Sequence, residues 1–196
     1  MNLIGLTGGI ATGKSSVSKM IQAKGLPVID ADFLAREVVS PGSFGQKALV
    51  QVFGPGILSG EELNRKLLGQ KLFADPVCRR VVENITHPLI QWRAKQEFAA
   101  LEKAGHEIIF YDAALLFEKS LTKNFNLIVV VHAPEKIQID RLIERDKISK
   151  TEAEQRVNTQ MPMAKKIAEA HLLIDNGGTL KQTESQVEEI LSKLLK

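Results

Sequence analysis

Short, nearly unbroken apolar runs alternate along the chain with segments whose apolar residues return every three or four positions. Five runs read as strands: NLIGL near the start, Leu26–Asp30 (LPVID), then EIIFYDA, NLIVVVHA and HLLID. Apolar strands separated by helices indicate a parallel sheet covered on both faces. The expected fold class is therefore α/β, with a three-layer α/β/α core around a five-stranded parallel sheet. Helical periodicity begins at Ser15, places Val17, Met20 and Ile21 on one face, and ends at Gly25.

The spacing of the strands is uneven. The second ends near Asp30 and the third begins near His106, and the residues between them read as mostly helical. Asp75-Pro76 and His87-Pro88 each place proline where a first helical turn tolerates it, so a helix is expected to start at each. LIQWRAKQEFAALEKAG is a long amphipathic helix closing on Gly105. After the fourth strand, Pro134 opens a helix through IQIDRLIERD. A polar helical pair broken at Pro162 follows, with Ser149/Glu152 or Thr151/Glu154 as its capping box. The last helix is TLKQTESQVEEILSKLLK. Three parts result: a core (about 1–31, 106–134 and 171–196), a helical insertion that can hold an acceptor (about 32–105), and a charged lid (about 135–170).

The chemistry is densest between the first strand and the first helix, where Gly8-x-x-x-x-Gly13-Lys14-Ser15 appears. Glycines let such a loop curl so that consecutive N–H groups face phosphate oxygens. Lys14 can reach the β- and γ-phosphates, Ser15 offers a hydroxyl to Mg²⁺, and the helix that follows adds its dipole. Gly8, Gly9, Ile10, Ala11, Thr12, Gly13, Lys14, Ser15 and Ser16 are thus the candidate nucleotide site, and the core is of P-loop NTPase type.

Ligands of open α/β sheets bind beyond the carboxyl ends of the strands, which puts Asp30 and Asp32 (VIDAD) beside the loop. Asp32 can accept a proton from an attacking hydroxyl or help to hold Mg²⁺. Asp30 can do the same or simply cap the next helix. Arg36, one turn beyond Asp32, shares its face and can bind an anionic group. Arg141 and Arg145 (RLIERD) are four apart and stack on one helix face. They can neutralise a transferring phosphoryl group, although Arg141 can instead pair with Glu144 and Asp146. Asp112 ends the third strand, where a carboxylate assists Mg²⁺ through water. Glu118 lies farther along the same stretch. His87 can contact an acceptor or cap a helix.

Composition narrows the class. With 44% hydrophobic and 25% charged residues and a net charge of +3, the chain is ordinary for a soluble protein and lacks a nucleic-acid-binding stripe. Cys78 is the single cysteine, so no internal disulfide forms; its helical spacing suggests a small buried hydrophobe. The first residues do not read as a signal peptide and no apolar run spans a bilayer, so a cytosolic enzyme without membrane or nucleic-acid partners is expected. No guanine-reading N-K-x-D occurs, and DAAL is not the D-x-x-G of a switch. The chain is short for a motor or transporter ATPase. A small kinase with a lid that excludes water remains; the sequence does not fix its oligomeric state.

The ordered set GLTGGIATGKS, VIDAD with AREVV, Phe53-Gly54, Leu63–Arg65 (LNR), HPLI from His87, ALLFE, Arg145-Asp146, Gln160 and LIDNGG resembles the dephospho-coenzyme A kinase family nearly end to end. The resemblance implies transfer of the ATP γ-phosphate to the ribose 3′-hydroxyl of dephospho-coenzyme A, with Mg²⁺. By this likeness Lys14, Asp32 and Arg145 are catalytic, with Asp32 the base or orienter. Arg36, Arg65, His87 and Leu115 fall on the acceptor side, Arg145 on the ATP and lid side, and Asn176 near the adenine. Two departures stand out: Ala114 where the family often has proline, and Ala11-Thr12 where Gly-Ser is commoner.

Overall fold

The structure is a computed structural model and describes residues 1–195; the last residue of the expected final helix lies outside them. Strand β1 (Asn2–Gly8) leads into helix α1 (Lys14–Ala23), then β2 (Val28–Asp30), α2 (Ala31–Glu37) and α3 (Phe44–Phe53). A small hairpin, β3 (Leu58–Ser59) and β4 (Glu62–Leu63), precedes α4 (Arg65–Ala74) and the 28-residue α5 (Pro76–Lys103). The chain continues through β5 (Ile108–Asp112), β6 (Leu127–His132), α6 (Glu135–Asp146), α7 (Lys150–Asn158), α8 (Met163–Ala168), β7 (Leu172–Asp175) and α9 (Leu180–Leu194).

The five long strands form a parallel sheet in the order β2-β5-β1-β6-β7. β1 lies at its centre and the chain crosses over on both sides of it, so the loop after β1 opens where the strand order switches. Ile4 and Leu6 of β1 pack with Val17 and Ile21 of α1 and with Val187, Ile190 and Leu191 of α9. This is the core that the unbroken apolar strands require. Tyr111 of β5 stacks on Phe125, ring centres 5.4 Å apart.

Two compact units result: residues 1–29 together with the chain from 101 onward, and residues 30–100. The second is helical and has its own core of Val39, Leu49, Ile57, Leu63 and Val82. Among the described residues no helix is long and apolar enough to cross a membrane.

Three sequence expectations need refinement. No helix starts at His87-Pro88; Pro88 lies inside α5. Proline there removes one N–H and the partner of the Asn84 carbonyl. Both Asn84 and Pro88 are on the exposed side of the helix, where water can satisfy that carbonyl. Asp75-Pro76 does start α5, with the Val77 N–H donating to Asp75 Oδ1 at 2.7 Å. Cys78 is half-exposed rather than buried, and its Sγ donates to Asp75 Oδ2 at 3.2 Å. That hydrogen bond raises the thiol pKa and keeps the group protonated. Of the two capping boxes, Ser149 and Glu152 make the real one.

Candidate active site

The loop between β1 and α1 is held in shape from behind. Thr12 is fully buried and turns its N–H and hydroxyl onto the Gly9 carbonyl at 3.3 and 2.9 Å. Gly13 has φ +87° and caps α1 without a side-chain acceptor, so the first N–H groups of α1 stay available to an anion. A Cβ on Gly13 would sit 1.9 Å from Asn176 Nδ2; glycine is required for both backbone conformation and space. Ala11 also occupies the left-handed region, at φ 58°, a conformation that glycine adopts without steric cost.

Asn176 is buried behind this turn. Its Nδ2 donates to the Thr12 carbonyl at 2.7 Å and its Oδ1 accepts from Thr183 at 2.8 Å. Arg141 completes the backing: Nη2 donates to the Asn176 carbonyl at 2.9 Å, and Nη1 reaches the Ala11 and Thr12 carbonyls at 3.4 Å. A guanidinium that binds the loop's carbonyls leaves its amides facing the other way. Arg145, expected to act alongside it, instead forms a paired contact with Asp146 (2.7 and 3.0 Å), which Arg156 also holds at 2.7 Å. Arg145 stays largely exposed. One turn along α6 thus separates a loop-backing arginine from one paired at the surface.

Lys14 Nζ is paired with Asp112 Oδ1, and the Ser18 hydroxyl contacts Asp112 Oδ2. Asp112 is buried at the end of β5, beside β1 in the sheet. Ser15 and Ser16 are exposed in the first turn of α1. Among the described residues no cluster of three or more His, Cys, Asp or Glu side chains can hold a metal ion. A Ser hydroxyl and one carboxylate suit Mg²⁺, which keeps several waters and takes most other oxygens from phosphates.

The α7–α8 linker closes over the same loop. Gln160 Oε1 accepts the Ile10 N–H at 2.7 Å, and a cavity of about 270 Å³ lies between Gly9, Gln138, Gln160, Met161 and Met163. Met161 N donates to Glu118 Oε1 at 3.1 Å. Lys166, fully buried in α8, places Nζ 2.8 Å from the same oxygen and 3.4 Å from the Ala114 carbonyl. Leu116 is buried and its neighbour Leu115 is 41% exposed. Sequence reading missed Lys166, which it took as part of a polar lid. A usable signal lay in its spacing of three from Met163, which puts both on the less exposed side of α8.

In the helical unit, Asp30 proves to be the α2 cap, accepting from Asp32 N at 2.8 Å and Phe33 N at 3.1 Å. Asp32, in the first turn of α2, is left with an exposed side chain, as are Arg36 in its last turn and Arg65 at the start of α4. His87 is half-buried midway along α5. Arg93 Nε pairs with Glu37 Oε1 at 3.0 Å, and its Nη2 with Glu97. The Glu37 hydrogen bond is the largest influence that raises the Arg93 pKa.

Comparison with known proteins gives a consistent result. The dephospho-CoA kinase family model matches residues 2–182. A dephospho-CoA kinase of Geobacter sulfurreducens is 45% identical over 194 residues, 98% of either chain. The crystal structure of TT1252 from Thermus thermophilus is similar with a TM-score of 0.87 at 30% identity, covering 98% of this chain and 97% of that one. A Campylobacter jejuni dephospho-CoA kinase shares the fold, with a TM-score of 0.75 at 24% identity over 98% and 96% of the two chains. With a backed phosphate loop on a five-stranded parallel sheet and a full-length relative at this identity, the chain belongs to the dephospho-CoA kinase family.

Proposed function

We propose that this chain transfers the γ-phosphate of ATP to the ribose 3′-hydroxyl of dephospho-CoA, giving ADP and coenzyme A. The observation that carries the reading is the loop from Gly8 to Ser16, fixed from behind by Arg141 and Asn176, with the first N–H groups of α1 left without a side-chain cap and open to a triphosphate. Phosphoryl transfer depends mostly on positioning and charge stabilisation. A preformed cradle supplies both.

On this reading Lys14 exchanges Asp112 for the β- and γ-phosphate oxygens when ATP binds. The acceptor's 3′-oxygen attacks the γ-phosphorus while the bond to the β,γ-bridging oxygen breaks and ADP leaves. Asp32 orients the hydroxyl and takes its proton. Mg²⁺, when bound, neutralises the phosphate charge; the exposed Ser15 hydroxyl and, through water, Asp112 are the residues that would hold it. Arg36, Arg65, His87 and Leu115 serve the acceptor and Arg145 the nucleotide. Asn176 serves it through the loop. Residues 135–170 act as a lid over the site, and the reaction belongs in the cytosol.

Purified protein with Mg-ATP and dephospho-CoA should form ADP and coenzyme A in equal amounts. Turnover of a nucleoside monophosphate or shikimate, with none of dephospho-CoA, would overturn the reading. Asp32→Asn should leave ATP affinity nearly intact and lower kcat by ~10²–10⁴-fold; near-normal turnover would remove Asp32 from that role.

A further inference from the structure

The Lys166 ammonium lies where three stretches distant in sequence meet. It reaches Glu118 Oε1 at 2.8 Å and the Ala114 carbonyl at 3.4 Å. The Ala114 carbonyl also accepts from the Thr7 hydroxyl at 3.2 Å, and Thr7, itself fully buried, is the residue before Gly8 in β1. Glu118 Oε1 also accepts the Met161 N–H at 3.1 Å. The base of the phosphate loop, the segment after β5 and the α7–α8 linker are thus tied through one ammonium. A buried ion pair is a poor source of stability, since apolar side chains of similar volume often do as well or better. What it adds is direction, because each charge-assisted hydrogen bond fixes the place of its partner.

The part of the linker held in this way is the part that covers the loop. Gln160, next to Met161, accepts the Ile10 N–H at 2.7 Å. The Met163 methyl packs on Gly9 so closely that a Cβ there would sit 2.7 Å from it. Gly9 and Ile10 belong to the loop proposed above to hold the triphosphate. Water admitted there competes with the acceptor hydroxyl. Its oxygen bonds to the γ-phosphorus, the bond to the β,γ-bridging oxygen breaks, and ADP and inorganic phosphate leave while one proton passes to solvent. We infer that Lys166 is a positioning residue for the transfer reaction proposed above, on which this role rests. Through Glu118 and Ala114 it holds Gln160 and Met163 on the loop and so keeps water from the γ-phosphate. It acts through those two side chains rather than on the reacting atoms.

ADP and coenzyme A measured in the same quenched reaction test this role. The wild type should give them in equal amounts. Gln160→Ala cuts the contact to Ile10 without touching the buried pair. It should form ADP in about twofold or greater excess over coenzyme A, with inorganic phosphate making up the difference. Its kcat for coenzyme A should fall about tenfold while KM for ATP stays within about twofold. Lys166→Met should behave in the same way. Lys166→Met combined with Glu118→Gln separates position from stability: part of the resistance to urea should return while the excess ADP persists. A purely structural lysine would restore both together, so loss of the excess in the double variant would overturn the inference. So would a folded Lys166→Met or Gln160→Ala enzyme that makes equal ADP and coenzyme A at the wild-type rate. If circular dichroism shows Lys166→Met unfolded, Gln160→Ala and the double variant decide. A wild type that forms no coenzyme A from dephospho-CoA removes the transfer reaction itself and this role with it.

Discussion

Replacing Lys166 with methionine tests whether the α7–α8 linker is held by a buried charge pair. Methionine keeps the aliphatic stem in place and deletes the ammonium. The residue left behind is Glu118, whose side chain is 21% exposed and whose Oε2 is buried without a partner. Burial acts most strongly on Glu118 and favours its neutral form. The Lys166 hydrogen bond, with the Met161 N–H and the lysine's charge, outweighs burial and brings the pKa below the ordinary glutamate value. Removing one partner of a buried ion pair costs about 3–5 kcal/mol, and partial exposure of Glu118 argues for the lower end, about 3 kcal/mol. With a urea m-value of about 2–3 kcal/mol per M, the midpoint should fall by roughly 1 M or more.

The pH dependence has a definite sign. In the wild type a lowered folded pKa stabilises the native state fully above the unfolded value of about 4.3, and this is lost as pH falls through the folded value. In Lys166→Met the hydrogen bond and charge that chiefly oppose burial are gone, and only backbone hydrogen bonds such as that of Met161 still oppose it, so the Glu118 pKa rises from its wild-type position. The variant's penalty is then largest near neutrality and shrinks as the carboxyl takes up a proton. Urea unfolding followed by circular dichroism at pH 7.5 and pH 5 should therefore show a wide gap that narrows. Coincident midpoints at pH 7.5, or a gap unchanged at pH 5, would refute the reasoning. Lys166→Met combined with Glu118→Gln should recover part of the loss, because no buried charge is left alone.

The sheet was readable in the sequence because its strands are buried on both faces and so are apolar without alternation. The loop was readable because its glycines answer a local demand: Gly13 needs both a positive φ and empty space, and its neighbours announce it. What holds the loop was not. Arg141 meets Ala11 across 130 positions and Asn176 meets Thr12 across 164; periodicity carries no information at such separations. The same limit hid Lys166. Its neighbours in MAKKIAEA are polar enough to suggest solvent, and only the distant Glu118 makes its burial tolerable. Arg145 shows the converse. Helical spacing places it one turn from Arg141, but periodicity does not weigh the adjacent Asp146, with which it pairs at the surface. Pro88 misled because proline starts many helices, and its exposed position inside α5 could be known only from the packing of that helix.

The remaining expectations concern the loop itself. Gly13→Ala should abolish measurable ATP binding by calorimetry, because the new methyl collides with Asn176 Nδ2 at 1.9 Å. Ala11→Gly should raise stability by about 1 kcal/mol in urea unfolding, since it relieves a left-handed alanine at φ 58°; a destabilised variant would show that the conformation is not a cost. Arg141→Lys tests the backing of the loop without removing its charge. Arg141 spans two directions, the Asn176 carbonyl through Nη2 and the Ala11 and Thr12 carbonyls through Nη1. A lysine ammonium is a single point and cannot hold both ends. Losing one charge-assisted hydrogen bond costs about 1.5–3 kcal/mol, and part of that loss is expected as a looser loop. Kd for ATP should therefore rise about tenfold, while KM for dephospho-CoA, bound by other residues, stays near the wild-type value. If Arg141→Lys bound ATP as tightly as the wild type, charge alone would suffice, and the two-directional geometry of the guanidinium would not be what keeps the cradle open.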